Sequence, residues 1–319
     1  MSQMENLWSR KLSRDLKCLF ILCALMCLVP LLDLSPYTLG ILIVGFYFAL
    51  IALAWNLLAG FTGQFSMAPA AFAMIGGYIT ALLSYHLSVS LWVGIPAAVF
   101  GSALLGFLLG ATVLRLKGPY LSLTTLAFAE IARVFIGNSH EFTRGDQGLN
   151  LPTLMESRIA YYYFFLLLVV LVGWLIFLLM RSKYGGYLLA IRDDAEAAES
   201  RGIPVVRFKL WAFTISSAIC GFAGCMYGTF SQLVSPEMGL IQQTGLIISM
   251  VVIGGIGSLT GPVLGALLVY LSSEWLRDVG NIQLIVFALL VIIFARFFRT
   301  GLWGICLSLY ARLKPVKNN

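Results

Sequence analysis

The longest uncharged interval of the sequence limits what kind of protein this chain can form. No Asp, Glu, Lys or Arg occurs between Asp33 and Arg115, and most residues of the interval are aliphatic or aromatic. One membrane-spanning helix needs about 20 apolar residues, so this interval has room for three crossings. In the whole chain 60% of residues are hydrophobic and 11% are charged, whereas soluble chains contain about 25% charged residues. We therefore expect the chain to be embedded in lipid.

Apolar runs bounded by charged residues, Gly or Pro predict about ten membrane-spanning helices, with a range of eight to ten. Backbone polar groups find no water in hydrocarbon, so each run should be helical and the fold an all-α, polytopic transmembrane helix bundle. The stretches 66–85 and 242–257 are rich in Gly and small residues, and a broken or partly inserted helix is the alternative to a full crossing for each. The predicted spans are 18–35, 37–59, 66–85, 91–114, 119–137, 160–180, 209–230, 242–257, 260–276 and 281–298.

The distribution of basic residues predicts how the bundle is oriented. With ten spans and a cytoplasmic N-terminus, the cytoplasmic segments contain 17 of the 21 Lys and Arg residues, as cytoplasmic loops commonly do. Both termini are then cytoplasmic. The division of the chain is a cytoplasmic N-terminal segment (1–17), a transmembrane domain (18–300) with a cytoplasmic loop at 181–208, and a cytoplasmic tail (301–319). No basic stripe with interleaved aromatic residues accompanies the net charge of +7, so no nucleic-acid partner is predicted.

The hydrophilic stretch 185–204 has the start and stop signals of a short helix. Asp193 is placed to cap the helix, with Glu196 closing a capping box, and Arg192 and Glu196 have the spacing of an i,i+4 ion pair. Gly202 supplies the stop. A solvated connector is the simpler interpretation, but connectors have a median length of about 4–6 residues and this one is much longer. We favour a rigid helix that fits a groove of a partner protein.

Several blocks of the sequence carry a resemblance to a known family. The blocks are NLLAGFTGQFS at 56–66, GPYLSLTTLAFAEI at 118–131, AIRDD at 190–194 continuing through KLWAF at 209–213, and VVIGGIGSLTGP at 251–262. Glu196-Ala197-Ala198 followed by Gly202 resembles the first half of the EAA loop of ABC importer permeases. Together the blocks are similar to the branched-chain amino-acid permease family of ABC importers, and the similarity covers roughly residues 37–300.

The resemblance implies an ABC importer permease fold in a bacterial cytoplasmic (inner) membrane. The chain would pair with a second related permease and bind two ATPase subunits and an extracytoplasmic substrate-binding protein. It would move branched-chain or other apolar amino acids by alternating access, and ATP and Mg²⁺ would bind in the partner subunits. The residues that would couple it to the ATPase are Arg192, Asp193, Asp194, Glu196, Ala197, Ala198 and Gly202. Pro69 stands where the family often has a polar residue, which bears on the choice of cargo.

The chain itself shows no sign of handling ATP or catalysing a reaction. A phosphate-binding P-loop needs Gly directly before Lys, and no lysine here follows a glycine. The glycine-rich stretch 254–258 is better explained by packing or a helix break. No nucleophile–base–acid set or metal site is evident, and the six cysteines fit the role of small apolar side chains.

The polar residues inside predicted spans are candidates for the translocation pathway. Ionisable groups in a span are costly and face partners or a water-filled path. For Gln64 and Ser66 the glycine-rich surroundings favour a pathway role, and Thr124 and Thr125 belong to the same prediction. Glu130 and Arg133 are three residues apart, and we interpret them as an intramembrane ion pair.

Small residues at helix-packing spacing predict close helix contacts, because without Cβ atoms two helices can approach closely in lipid. The glycines concerned are Gly106, Gly110, Gly224, Gly228, Gly257, Gly261 and Gly265.

Three alternatives to an amino-acid importer stay open. A permease for urea or short amides belongs to the same class, whereas a stand-alone secondary transporter or channel would leave the polar helix without a partner. A membrane-embedded enzyme comes third, because a catalytic set of residues is missing. In an importer, the binding protein would dock on the outer loops that contain Arg144, Asp146, Arg158 and Glu237.

Overall fold

The computed structural model describes residues 2–32, 35–114 and 118–275, and also residues 285, 289, 292, 293, 296 and 301–305. Most of these residues are helical, as predicted. The helices are α1 (Ser2–Cys27), α2 (Pro36–Ala59), α3 (Pro69–Leu87), α4 (Leu91–Val113), α5 (Pro119–Asn138), α6 (His140–Thr143), α7 (Arg158–Arg181), α8 (Lys183–Asp193), α9 (Ala195–Ser200), α10 (Val205–Ser231), α11 (Ile241–Gly254) and α12 (Thr260–Trp275). Strands β1 (Leu149–Asn150) and β2 (Leu233–Val234) pair antiparallel, and single 3₁₀ turns form at Val29–Leu32, Gly145–Gln147 and Pro236–Gly239.

Six helices of the described residues are long and apolar enough to cross a membrane: α2, α3, α4, α5, α7 and α10. They coincide with six of the predicted spans, so a multi-pass membrane protein is supported. The helix at 242–257 is shorter than predicted, with 14 residues, and the helix at 260–276 is described over 16 residues, from Thr260 to Trp275. The predicted span 281–298 lies outside the described residues except for isolated positions. The number of ten spans therefore stays a prediction.

The helix over the predicted first span, 18–35, has other bounds, and the span itself stays a prediction. Helix α1 begins at Ser2 and ends at Cys27, so the predicted boundary between residues 17 and 18 falls inside a helix. Asp15 is buried there, and its backbone carbonyl accepts a hydrogen bond from Thr260 Oγ1 at 2.7 Å. Its carboxylate Oδ1 accepts one from Trp303 Nε1 at 3.0 Å. Parts of the predicted segments 1–17 and 301–319 thus pack into the bundle, and residues 306–319 lie outside the described residues.

Helix α2 forms the centre of the bundle. Of its most apolar stretch 89% is buried, compared with 28% for α4 and 17% for α5. Trp55 and Phe46 of α2 are almost completely buried, whereas Trp92 and Phe100 of α4 are more than 70% exposed. Large exposed apolar surfaces of this kind mark contact with a membrane or another protein. The exposure of large apolar side chains on α4 agrees with a lipid environment for the rim of the bundle.

Two interruptions break the helical pattern where the sequence is rich in small residues. Residues 60–68 connect α2 to α3 without helical structure, and α11 ends at Gly254 before α12 begins at Thr260. Gly255 and Gly257 have φ angles of +126° and +76°, which side chains with a Cβ atom rarely adopt. Of the predicted spans 66–85 and 242–257, only the ends at 66–68 and 255–257 are non-helical, and α3 and α11 are continuous. Partial insertion of these two segments stays a prediction. We call residues 60–68 the first break and residues 255–259 the second break.

The helix ends lie at two opposite ends of the bundle. At one end, Arg192 of α8 donates a hydrogen bond to the Gly60 carbonyl at 3.2 Å, and Ser122 near the start of α5 also bonds to the first break. At the other, Arg158 at the start of α7 donates to the carbonyl of Pro36, the first residue of α2, at 2.8 Å. We call these the α8–α9 end and the sheet end, since β1 and β2 lie at the latter.

Candidate functional site

The predicted polar helix is divided into two short helices, α8 and α9, by a break at Asp194. The Asp194 side chain accepts hydrogen bonds from the backbone N–H groups of Glu196 and Ala197, both at 3.0 Å. Asp194 is therefore the N-cap of α9. The prediction that Asp193 caps the helix is wrong, because Asp194 is the residue with an extended backbone immediately before the first turn.

The predicted Arg192–Glu196 ion pair is also wrong, because the break separates the two residues. Arg192 instead binds the neighbouring Asp193, with Nη2 and Nε at 2.8 and 3.0 Å from Oδ1. Its third nitrogen, Nη1, donates to the carbonyl of Gly60. The Arg192 side chain is 33% exposed, compared with 69% for Asp193. Arg192 thus points toward the bundle, whereas Asp193 faces outward.

The stop signal predicted at Gly202 is confirmed. Gly202 has a φ angle of +82°, and its N–H donates to the Glu199 carbonyl at 2.9 Å. The N–H of Ile203 donates to the Ala198 carbonyl at 3.1 Å. These two bonds form a Schellman motif, which pairs carbonyls that the end of a helix otherwise leaves free.

A small apolar cluster holds α8, α9 and the start of α10 together. Buried Ile191, Ala198 and Val205 contribute one residue from each helix. Asp193, Asp194, Glu196 and Ala197 stay exposed. The segment is therefore a small folded unit with a polar outer surface, as a contact site for another protein requires.

The two helix breaks meet beside Arg192. Buried Asn56 of α2 accepts a hydrogen bond from the N–H of Gly257 at 2.8 Å and donates one to the carbonyl of Ser258 at 2.7 Å. Gly63, with a φ of +69°, lies so close that a Cβ atom there would be 3.3 Å from Arg192 Cγ. A movement of α8 would therefore displace the first break directly and the second break through Asn56.

The predicted pathway residues fall into two groups. Gln64 and Ser66 are buried in the first break, where Gln64 Nε2 donates to Thr62 Oγ1 at 3.0 Å and to the Lys209 carbonyl at 3.2 Å. The Gln64 carbonyl oxygen has no hydrogen-bond partner among the described residues. Thr125 is also buried and accepts a bond from the N–H of Met67 at 2.9 Å.

Thr124 does not join this group. It is only partly buried and donates to the carbonyl of Tyr120 within its own helix at 2.7 Å. A small cavity beside Ser66, lined also by Trp55, Ser216 and Ser217, has room for about one water molecule. The structure therefore brings Gln64, Ser66 and Thr125 together and leaves Thr124 outside.

The predicted ion pair of α5 is present. Arg133 Nε lies 3.1 Å from Glu130 Oε2, and Arg133 Nη2 also bonds to this carboxylate. The side chains are 26% and 48% exposed for Arg133 and Glu130. Asp146, in the turn that packs on the end of α5, lies close to this helix: a Cβ atom on Gly137 would be 3.1 Å from its Oδ1. The Tyr78 hydroxyl is buried and has no hydrogen-bond partner among the described residues.

Most of the predicted packing glycines lie at close helix contacts, and two do not. A Cβ atom on Gly224 of α10 would overlap the Ala73 backbone of α3, and one on Gly265 of α12 would overlap the Met250 backbone of α11. Gly106 and Gly110 of α4 similarly face α10, and Gly261 faces the end of α11. Gly257, however, belongs to the turn of the second break, and Gly228 packs against Val234 of β2. For Gly257 the helix-packing prediction is wrong.

Sequence reasoning missed three buried polar residues: Asn56, Asp15 and Tyr78. Asn56 carried a usable signal, because an amide inside a long uncharged helix needs a partner. Asp15 and Tyr78 carried none, since their surroundings are contributed by residues distant in sequence. Among the described residues, no cluster of His, Cys, Asp or Glu side chains is suitable for a metal ion.

Comparison with known proteins identifies the family. Residues 37–295 match the family model of the permease component of branched-chain amino acid transport systems. The permease protein LivM of a high-affinity branched-chain amino acid transport system in Salmonella typhimurium is 32% identical over 276 residues, covering 77% of this chain and 65% of LivM. LivM of Escherichia coli matches with the same identity and coverage. The chain therefore spans about two thirds of the length of these relatives.

Two further relatives are also permease proteins. The permease protein LivH of Escherichia coli is 25% identical over 278 residues, which cover 77% of this chain and 90% of LivH. The fructose import permease protein FrcC of Rhizobium meliloti is 32% identical over 195 residues, which cover 56% of this chain and 54% of FrcC. No solved structure gives a significant match. The extent of the family match shows that the chain belongs to the permease components of branched-chain amino acid transport systems.

Proposed function

We propose that this chain is the membrane-spanning permease subunit of an ATP-driven importer for branched-chain or other apolar amino acids. One observation carries the proposal: a folded polar unit, α8–α9, is joined through Arg192 to the two helix breaks. An importer driven by a separate ATPase needs such an element, since force applied outside the membrane must reach the pathway. A stand-alone carrier or channel has no use for it.

The charge distribution and the geometry support a cytoplasmic location for the α8–α9 end. Arg181, Lys183, Arg201 and Arg207 are exposed on or beside this segment, and cytoplasmic loops are rich in such residues. The outer loops with Arg144, Asp146, Arg158 and Glu237 would then face the binding protein at the sheet end. ATP and Mg²⁺ would bind in two partner ATPase subunits, and a second, related permease would complete the bundle in the bacterial inner membrane.

In this mechanism, Arg192 transmits the movement of the ATPase subunits. The exposed face of α9, with Glu196 and Ala197, contacts the ATPase. Closure of the ATPase subunits on ATP shifts α8–α9, and Arg192 pulls on Gly60 and presses on Gly63. The first break, which contains Gln64 and Ser66, then changes its position relative to α5 and α10, and the cargo site opens to the other side.

The proposal is tested with the complete complex, purified through a tag on this chain and reconstituted in proteoliposomes. We expect ATPase subunits to copurify, and labelled leucine to enter the vesicles only when ATP is supplied on the α8–α9 side with the loaded binding protein outside. Glu196→Arg should abolish copurification. Leucine uptake without ATP would refute the proposal in favour of a stand-alone carrier. ATP-dependent uptake of urea or a short amide instead of leucine would refute the amino-acid cargo. The chain would still be the permease subunit of an ATP-driven importer.

Arg192→Gln separates transmission from assembly. Because Arg192 faces the bundle, the variant should retain its ATPase subunits and hydrolyse ATP, with leucine transported per ATP reduced about tenfold or more. Lys183→Gln, which removes one exposed positive charge from the same helix, should behave as wild type. Equal uptake by both variants would contradict the role of Arg192.

A further inference from the structure

Helix α5 carries a charged pair on a surface that the described residues leave largely uncovered. Of the six helices able to span a membrane, α5 has the smallest buried share of its apolar stretch, at 17%. Glu130 and Arg133 lie near the middle of this helix with part of each side chain exposed. Ile131 and Phe135, also on α5, are more than 65% exposed.

A lipid-facing position explains this surface poorly. Charged side chains within a span almost always face the interior of a bundle or a water-filled cavity. The pair therefore indicates that the uncovered side of α5 faces the path between this chain and the second permease. This step rests on the proposed function, because a path between two permease subunits exists only in an importer that contains both.

A further carboxylate extends the pair toward the sheet end. The Asp146 carboxylate lies next to α5, and a Cβ atom on Gly137 would be 3.1 Å from its Oδ1. Gly137 follows Arg133 by four residues, which is one turn of the helix, and Asp146 is exposed. One cation and two carboxylates therefore lie along the sheet-end half of α5.

We propose that Glu130, Arg133 and Asp146 form the site that receives the amino acid from the binding protein. A free amino acid carries a carboxylate and an ammonium group. The carboxylate matches the Arg133 guanidinium, which has five N–H donors in a planar arrangement. The ammonium group matches the carboxylates of Glu130 and Asp146. The chemical class recognised is therefore a zwitterion, with the apolar side chain of the cargo left toward the exposed apolar surface of α5.

The decisive test exchanges the two charges in the double variant Glu130→Arg/Arg133→Glu. The exchange preserves an i,i+3 ion pair, so a purely structural pair tolerates it, whereas a zwitterion site is reversed in polarity. We expect the exchanged complex to assemble with its ATPase subunits and to hydrolyse ATP, with ATP-dependent leucine uptake at least tenfold lower. Phe100→Leu, an uncharged change at an exposed position of α4 outside the proposed site, should leave uptake unchanged. Wild-type uptake by the exchanged complex would overturn the proposal.

Asp146→Asn provides a second, milder measurement at an exposed position. We expect a severalfold rise in the concentration of loaded binding protein that gives half-maximal uptake, with little change in the maximal rate. An unchanged half-maximal concentration would count against the site even if the exchanged variant fails to assemble. Failure of the wild-type complex to import any amino acid would refute the proposed function itself. If the wild-type complex imports leucine and both variants import it equally well, only the zwitterion site is refuted.

Discussion

Replacement of Asn56 by Leu tests how the second break is held. Asn56 is completely buried and makes two hydrogen bonds, from the Gly257 N–H and to the Ser258 carbonyl. Leu has a similar size but no polar atoms, so both backbone groups lose their partner. An unpaired buried polar group costs about 1–3 kcal/mol, so the two together cost about 2–6 kcal/mol. A loss of about 2 kcal/mol makes local opening roughly thirtyfold more frequent, since about 1.4 kcal/mol corresponds to a factor of ten.

Hydrogen exchange measures this opening directly. In the purified complex we expect the amide of Gly257 to exchange at least about thirtyfold faster in Asn56→Leu than in wild type. Ser249→Ala is the control, because it removes an exposed hydrogen bond within α11, from Ser249 Oγ to the Gly245 carbonyl, and should leave Gly257 unchanged. An exchange rate within about threefold of wild type in Asn56→Leu would refute the reasoning that Asn56 holds the second break.

Two further predictions concern the local structure of the polar segment and of the bundle. Asp194→Ala should cost about 1 kcal/mol of α9 stability, because it removes the N-cap bonds to Glu196 and Ala197; hydrogen exchange of α9 should rise about fivefold, whereas Asp194→Ser should largely restore protection. Gly224→Ala should lower the free energy of unfolding by about 1–3 kcal/mol, because its Cβ would overlap the Ala73 backbone. The melting temperature of the complex should fall accordingly. Gly186→Ala, with no described atom within 4 Å of the added Cβ, should leave the melting temperature unchanged or raise it, because Ala has the higher helix propensity. A fall equal to that of Gly224→Ala would contradict the packing explanation.

The sequence by itself determined the class of the protein and most of its long helices. Hydropathy is a sum over neighbouring residues, so a run such as 37–59 identifies a span without knowledge of its contacts. Helix stops behave similarly, because a positive φ at Gly202 or in the stretch 254–258 depends on the residue itself. The family was recognisable for the same reason, since its motifs are contiguous blocks.

Only the tertiary structure decided which polar groups meet. Asn56 binds residues about 200 positions later, and Arg192 binds Gly60 across 132 positions. The spacing of Arg192 and Glu196 predicted an ion pair that the break at Asp194 prevents. The position of Asp146 beside α5 likewise depends on how this helix and the outer turn are packed. Such contacts are set by the packing of whole helices, and local spacing carries no information about them.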